Sequence, residues 1–290
     1  MAIRKSLIMK IGKFKMHLDP LKRGISSSLW GQGYREPCFM WIIKDEAKGK
    51  LGIDIGANLG YVTLHMCNNL DKVIAIEPDK SVRKLLKRNI KENNFQKKVK
   101  IYNFAVSDKD GEETIYLFRK HPNLNTLCNT KDMKKSLKKD YLGKKKVETK
   151  KIDSLGLFPD FMKMDLEGYE VEAIRGSMKT LKSVKHCKLL IEVHPQFYNK
   201  DRDFSKIMIN LFNMGFYAKY IVSAGSECPN LFKQKGYKPF KVFKDEERKR
   251  GIFKDISQDD AISFCAFQHE HKEPNGKIGK KVARAILLVK

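Results

Sequence analysis

Apolar and polar positions divide the chain into alternating strands and helices. A largely apolar run at 51–55 ends at Gly56, and Leu59, Val62 and Met66 then recur at helical spacing. This pattern predicts strand, tight turn and helix. Upstream, residues 34–48 carry Phe39, Ile42 and Ile43 on one helical side, with Pro37 near the first turn. Residues 1–29 show weak periodicity and no clear element. Downstream, a short β-rich run at 72–76 stops at Glu77-Pro78. A helix capped by Ser81 runs to Asn93 with Leu85, Leu86 and Ile90 as its stripe. Further strands are expected at 99–104, 114–118, 147–152, 161–164, 188–193, 216–222 and 262–267. Helices are expected around Val171, Ile174 and Met178, and over 204–213 with a stop near Gly215. Strands alternating with helices specify an α/β, doubly wound sheet.

Two stretches interrupt the alternation. Residues 119–146 are rich in Asn, Thr and Lys, and 223–260 are long and basic. Long segments of weak periodicity inside a domain are usually functional or mobile, so the first is expected on the substrate side. The resulting division is an N-terminal extension over 1–33, a domain over 34–267 with these two insertions, and a basic tail over 268–290 that ends in a short element at 282–289.

Composition narrows the setting. At 290 residues the chain allows one large domain or one domain with extensions, and 41% hydrophobic content supports a core. The six cysteines include no C-x-x-C pair, which argues against a zinc site and a secreted disulfide framework. No apolar run approaches the roughly 20 residues that span a bilayer, and lysines interrupt the first apolar positions, which makes a poor signal peptide. A cytoplasmic location is the expectation. The net charge of +25 suits nucleic acid, an anionic membrane or acidic glycans as partners. Lys far outnumbers Arg, however, and specific phosphate or guanine recognition usually shows Arg, so solvated lysine faces are the plainer reading.

The turn at 56–60 carries the chemistry. Gly56 and Gly60 permit a sharp turn, but Asn58 stands where a dinucleotide fingerprint wants its second glycine, and no third glycine follows. A pyrophosphate is disfavoured; a nucleoside without phosphates fits. Glu77 lies about 20 residues on, at a strand end, where an acid can accept both ribose hydroxyls. Ala105 to Ser107 offer a floor for a purine, and Asp108 would bond the adenine amino group or hold the following turn. On the strand at 161–164, Lys163 and Asp165 face one side and Met162 and Met164 the other. Placing these charges at a strand's carboxyl end is costly unless they serve a site.

Asp54-x-Gly56-Ala57-Asn58-x-Gly60, Glu77-Pro78, Ala105-Val106-Ser107-Asp108, Lys163-x-Asp165-x-Glu167-Gly168 and Ile191-Glu192-Val193-His194, in this order over roughly 34–222, resemble the FkbM family of S-adenosylmethionine-dependent methyltransferases. The resemblance implies a Rossmann-like, seven-stranded class I methyltransferase sheet with the last strand antiparallel. It also implies S-adenosyl-L-methionine as cofactor and methylation of a hydroxyl on a sugar, glycan or other small metabolite. Asp54, Gly56, Asn58, Gly60, Glu77, Ala105 and Asp165 would then be the cofactor residues. Asp165, Glu192 and His194 are the catalytic candidates, with Glu167 beside them, all at carboxyl ends of adjacent strands. Asp165 could instead hold the methionine amino group. Two carboxylates and an imidazole also suit a divalent metal, although none is assigned. The alternative function is RNA ribose 2′-O-methylation, suggested by the basic charge and by Lys163, Asp165, Lys188 and Glu192 as a lysine–acid–lysine–acid set. A binding module without activity is the third reading; retention of Asp54, Glu77 and Asp165 speaks against it.

Overall fold

The computed structural model describes residues 6–129, 139–225, 228–245, 248–267, 271–272, 278–279 and 281–290. The extension is more ordered than its weak periodicity predicts. Strands β1 (Leu7–Ile11) and β2 (Phe14–Leu18) pair as an antiparallel hairpin. Phe14, Met16 and Leu18 are buried between the more exposed Lys15 and His17, a period of two that is only five residues long. They pack on Leu59, Tyr61 and Leu64. Helices α1 (Ile25–Gln32) and α2 (Pro37–Glu46) follow.

The central alternation then begins: β3 (Gly49–Ile55), α3 (Tyr61–Met66), β4 (Leu70–Ile76), α4 (Lys80–Glu92) and β5 (Val99–Tyr102). The cap of α4 is Asp79 rather than Ser81; its carboxylate accepts the Ser81 N–H. A separate three-stranded sheet forms from β6 (Ala105–Val106), β7 (Gly111–Phe118) and β8 (Tyr141–Lys150), with β8 in the middle. The end of the 119–146 insertion is therefore regular: β8 starts six residues before the expected 147 because it pairs along the length of β7. Residues 130–138 of that insertion lie outside the described residues. The chain continues through β9 (Phe161–Met164), α5 (Glu170–Arg175), α6 (Met178–Ser183), β10 (Lys188–Glu192), α7 (Phe204–Asn213) and β11 (Tyr217–Ser223). Next come α8 (Cys228–Gln234), the hairpin β12 (Lys241–Asp245) and β13 (Arg248–Phe253), α9 (Gln258–Ala266), the short pair β14 (His271–Lys272) and β15 (Ile278–Gly279), and β16 (Ala283–Val289).

The main sheet has nine strands in the order β12-β13-β11-β16-β10-β9-β3-β4-β5. Strands β3, β4, β5, β9 and β10 run parallel, and β16 inserts antiparallel between β10 and β11. The last strand is antiparallel, as expected, but it is 283–289 rather than 262–267. Residues 262–267 were expected as a strand, yet 258–266 form a helix, because Ser257 caps it, Asp259 and Asp260 fill its first turn, and Ala261, Phe264 and Cys265 share its buried side. Residues 283–289 were expected within a tail, yet Ala285 to Leu288 are wholly buried at the centre of the sheet. The count is nine rather than seven because the 223–260 insertion adds β12 and β13 to the β11 edge.

Two apolar layers sandwich the sheet. Met162, Met164, Leu189 and Ile191 meet Val171, Ile174, Phe204 and Met208 on one side. Phe161, Leu190 and Leu287 meet Phe39, Ile42 and Ile43 of α2 on the other. Chain order runs from β3 out to β5, then jumps back to β9 and outward to β10. The crevice lies beyond the carboxyl ends of β3 and β9, at this reversal, which is where open α/β sheets bind ligands. None of the described helices is long and apolar enough to cross a membrane.

Candidate functional site

A pocket of about 980 Å³, including its open mouth, occupies that crevice. Its floor is the β3 turn. Gly56 has φ +77°, and a Cβ there would stand 2.1 Å from the Asp165 carbonyl oxygen. The missing side chain thus serves the close approach of the β3 and β9 turns as well as the pocket. Asn58 is also left-handed, and its own Oδ1 accepts the Leu59 N–H at 2.9 Å. Gly56, Ala57 and Asn58 line the pocket, whereas Gly60 packs behind it against Leu86. Asp54 lies beneath, fully buried. It accepts the Thr63 hydroxyl at 2.6 Å and pairs with Lys163 at 3.4 Å, so it orients other groups rather than facing the pocket.

Glu77 stands at one end. Its carboxylate accepts the N–H groups of Asn58 (2.9 Å) and Asp79 (2.8 Å). Burial pushes its pKa up to about 7, against the lowering effect of those bonds. Beside it, Pro78, Phe104, Ala105 and Val106 give an apolar wall. Asp108 does not join it: the side chain is exposed and takes the Ser107 hydroxyl at 3.3 Å.

The other end is charged. Lys163 reaches up from β9 and donates to the Gly56 carbonyl at 3.2 Å, with Asp54 and Asp165 on either side. Burial opposes its charge, but the two carboxylates outweigh it and hold its pKa above the usual lysine value. Asp165 lines the pocket, and its Oδ1 has no hydrogen-bond partner. Burial first, then the Glu192 carboxylate, push its pKa to about 7. Glu192 lies deeper, 2.6 Å from Arg284 and 3.7 Å from Lys281. Burial would raise its pKa, but those cations hold it well below the usual range. His194 is buried between Glu192 (3.2 Å) and Glu167 (3.4 Å) at Nε2 and Glu170 (2.9 Å) at Nδ1. Burial and Lys281 oppose charge on the ring, yet Glu170 and Glu167 prevail and lift its pKa to about 10. A ring already protonated at neutral pH is a poor proton acceptor. The structure therefore brings Asp165, Glu167, Glu192 and His194 together and differentiates them by their partners. One ligand atom from each of Asp165, Glu167 and His194 falls within 4.8 Å of the others, so Glu167 takes the place that the sequence reading gave to Glu192 in a metal-binding set.

Sequence reasoning missed Glu170 and Arg284 as parts of this site; Arg35 and Glu36, just before Pro37, could reach the ligand side but were expected on the surface, and both line the pocket. Glu170 is fully buried and accepts the Leu166 and Gly168 N–H groups at 3.2 and 3.0 Å and the Tyr198 hydroxyl at 3.2 Å. Its place five residues after Asp165 was the available signal. Arg284, on β16, spans from Glu192 to Glu36, which it meets at 2.5 Å, and Glu36 pairs with Arg35 at 3.2 Å. No spacing in the sequence joins residues about 250 apart. The remaining lining comes from the extension (Ile25), the start of the domain (Arg35 and Glu36) and the insertion (Pro122, Asn123, Asn125 and Leu127). Asn125 donates to Asp79 at 2.9 Å and the Thr126 hydroxyl to the Glu167 carbonyl at 2.9 Å, which tie the insertion to both ends of the pocket. Lys188 stays away. It opens β10 at the opposite edge of the sheet and pairs with Glu46 at 2.7 Å, so the lysine–acid–lysine–acid set is not assembled.

The fold and site define a doubly wound α/β protein with a crevice and an acid cluster at its switch point. Residues 54–217, more than half of the chain, match the methyltransferase FkbM domain, and the chain belongs to that family. Among solved structures, it is similar to methyltransferase FkbM from Methylobacillus flagellatus KT, at 16% identity and a TM-score of 0.38. That likeness covers 71% of this chain and 44% of the other, so the chain spans less than half of that protein. It is also similar to M. jannaschii TYW2 in complex with AdoMet (14% identity, TM-score 0.42, 88% of this chain and 89% of that one). A third likeness is to a putative RNA methyltransferase, PH1948, from Pyrococcus horikoshii (16% identity, TM-score 0.38, 82% and 94%). No curated protein matches the chain.

Proposed function

We propose that this chain transfers a methyl group from S-adenosylmethionine to a hydroxyl of a sugar, glycan or other small hydroxylated metabolite. The observation that carries this reading is the pocket itself: a buried acid, Glu77, at one end, and an unpartnered carboxylate oxygen of Asp165 at the other. Glu77 receives the ribose hydroxyls, the Phe104–Val106 wall takes the adenine, and the Gly56–Asn58 turn borders the methionine part. The acceptor oxygen attacks the methyl carbon in line as the carbon–sulfur bond breaks. The sulfonium keeps the electron pair and becomes a thioether, and the hydroxyl proton passes to Asp165. Alignment supplies most of the rate, and the base contributes about 10²–10⁴-fold. Asp165 is the base because its competitors are engaged: Glu192 by Arg284 and the His194 ring by Glu170. Glu192 and His194 then position the acceptor end.

The insertion side of the pocket favours a neutral acceptor. Asn123, Asn125, Pro122 and Leu127 line it, and the cations among the lining residues, Arg35 and Lys163, are both paired with acids. The domain of this reading runs from residue 34 through β16, with 1–33 as an extension that packs on it. Labelled S-adenosylmethionine offered with glycan, nucleotide and RNA pools tests it. Label in sugars or small hydroxylated compounds supports the reading, label in RNA ribose moves it to the alternative, and no transfer to any pool counts against both.

A further inference from the structure

The acid cluster is more elaborate than a single base requires. His194 has a fixed orientation: Nδ1 meets Glu170 at 2.9 Å, and the backbone N–H donates to the Tyr198 hydroxyl at 3.0 Å. Glu170 cannot turn away, because Leu166 N–H, Gly168 N–H and the Tyr198 hydroxyl also bind it. Nδ1 meets a buried carboxylate, and Nε2 faces Glu192 at 3.2 Å and Glu167 at 3.4 Å; a cation bound there would take the place of the Nε2 proton. This carboxylate–histidine arrangement is the one that fixes the tautomer and raises the basicity of metal-ligating histidines. Glu167 adds an independent sign. It is a non-glycine residue at φ +48°, a conformation that costs of order 1–3 kcal/mol and is found at ligand clamps. Its carbonyl is tied down by Thr126 at 2.9 Å, and its carboxylate is turned toward the ring. Asp165 Oδ1, shut from solvent, has no hydrogen-bond partner.

We propose that Asp165, Glu167 and His194 Nε2 bind a divalent cation of the Mg²⁺ or Mn²⁺ class at the acceptor end of the pocket. Neighbouring ligands of an ion bound at about 2.1 Å lie about 3–4 Å apart. The three atoms here lie within 4.8 Å, so small side-chain rotations close the set. Two carboxylates and one imidazole suit these cations, with remaining positions open to the acceptor. Glu192 stays outside the set because Arg284 and Lys281 hold it. Asp165 itself lines the pocket, and its second oxygen lies 3.8 Å from Lys163. A hydroxyl bound to the cation would be more acidic, which eases the proton transfer to Asp165. This inference rests on the pocket being the methyl-transfer site.

The test is Mn²⁺ binding to the full chain, read by electron paramagnetic resonance and calorimetry without acceptor. S-adenosylhomocysteine binding is measured separately, and folding is checked by circular dichroism. The expected result is one Mn²⁺ per chain, displaced by excess Mg²⁺, with affinity falling at least tenfold in Glu167→Gln and in His194→Gln. Glu167 is partly exposed, so its variant is the one expected to fold unchanged. No Mn²⁺ bound at millimolar concentration, or equal binding in the folded Glu167→Gln chain, overturns the proposal. Cofactor binding without Mn²⁺ binding would leave the methyltransferase reading standing, whereas Mn²⁺ binding without cofactor binding would keep the site and remove that reading.

Discussion

Replacing Glu77 by glutamine should remove a proton-linked part of cofactor binding. The carboxyl is buried beneath Asn58 and Asp79, and burial lifts its pKa to about 7 from the usual 4.5. Below pH 7 the free protein therefore holds a proton there. Two ribose hydroxyls donate best to an ionised acceptor, so binding must expel that proton. The cost is about 1.4 kcal/mol, or tenfold in affinity, per pH unit below 7. Affinity for S-adenosylhomocysteine should be about tenfold weaker at pH 6 than on its plateau near pH 8. In Glu77→Gln this slope should disappear, and the plateau affinity should fall by about 1.5–3 kcal/mol as a charge-assisted bond is lost. Asp165, whose carboxyl is also pushed to about 7, keeps any contribution of its own in both proteins, so their difference reports Glu77. Stability runs the other way. A pKa raised on folding gives stability that is fully present below about 4.5 and is lost as pH rises through about 7. The ligand-free wild type should thus gain on the variant as pH falls across that window. Titration calorimetry in two buffers of different ionisation enthalpy counts the released protons. Equal pH slopes and equal proton release in the two proteins would refute the reasoning.

Other substitutions test separate links. Gly56→Ala should destabilise the fold by about 2–4 kcal/mol, combining left-handed strain with a clash at the Asp165 carbonyl; a urea midpoint within error of wild type would count against it. Arg284→Ala takes the shared cation from buried Glu192 and half-buried Glu36, and should cost about 3–5 kcal/mol; full stability by the same measurement would show that Arg35, Lys281 and His194 suffice for the two acids. Asp165→Asn should lower turnover about 10²–10⁴-fold while S-adenosylhomocysteine affinity changes little. Weakened cofactor binding with turnover intact at saturation would instead place Asp165 on the methionine amino group.

What the sequence by itself determined is local. The β9 and α7 bounds, the glycine turn and the Glu77 position could be read from runs, spacings and motifs, because each depends on residues close in the chain; Asp165, Glu192 and His194 could be grouped because each stands at the end of an apolar strand run. A buried parallel strand must be apolar, and an acid at its end stands out against that background. Tertiary structure decided what depends on distant pairing. Residues 283–289 look like a short tail element until β10 and β11 flank them and pair with the strand on both sides. Residues 262–267 look like a strand until the Ser257 cap and the buried face of α9 are seen together. The roles of the acids were likewise undetermined in the sequence, where Asp165, Glu192 and His194 are equivalent candidates. Arg284 from the last strand quenches one, Glu170 claims another, and Asp165 alone of the three keeps a buried oxygen with no partner among hydrogen bonds or ion pairs while lining the pocket. Ion pairing and desolvation act over a few ångströms in space, and the chain brings those groups together from positions up to 248 residues apart.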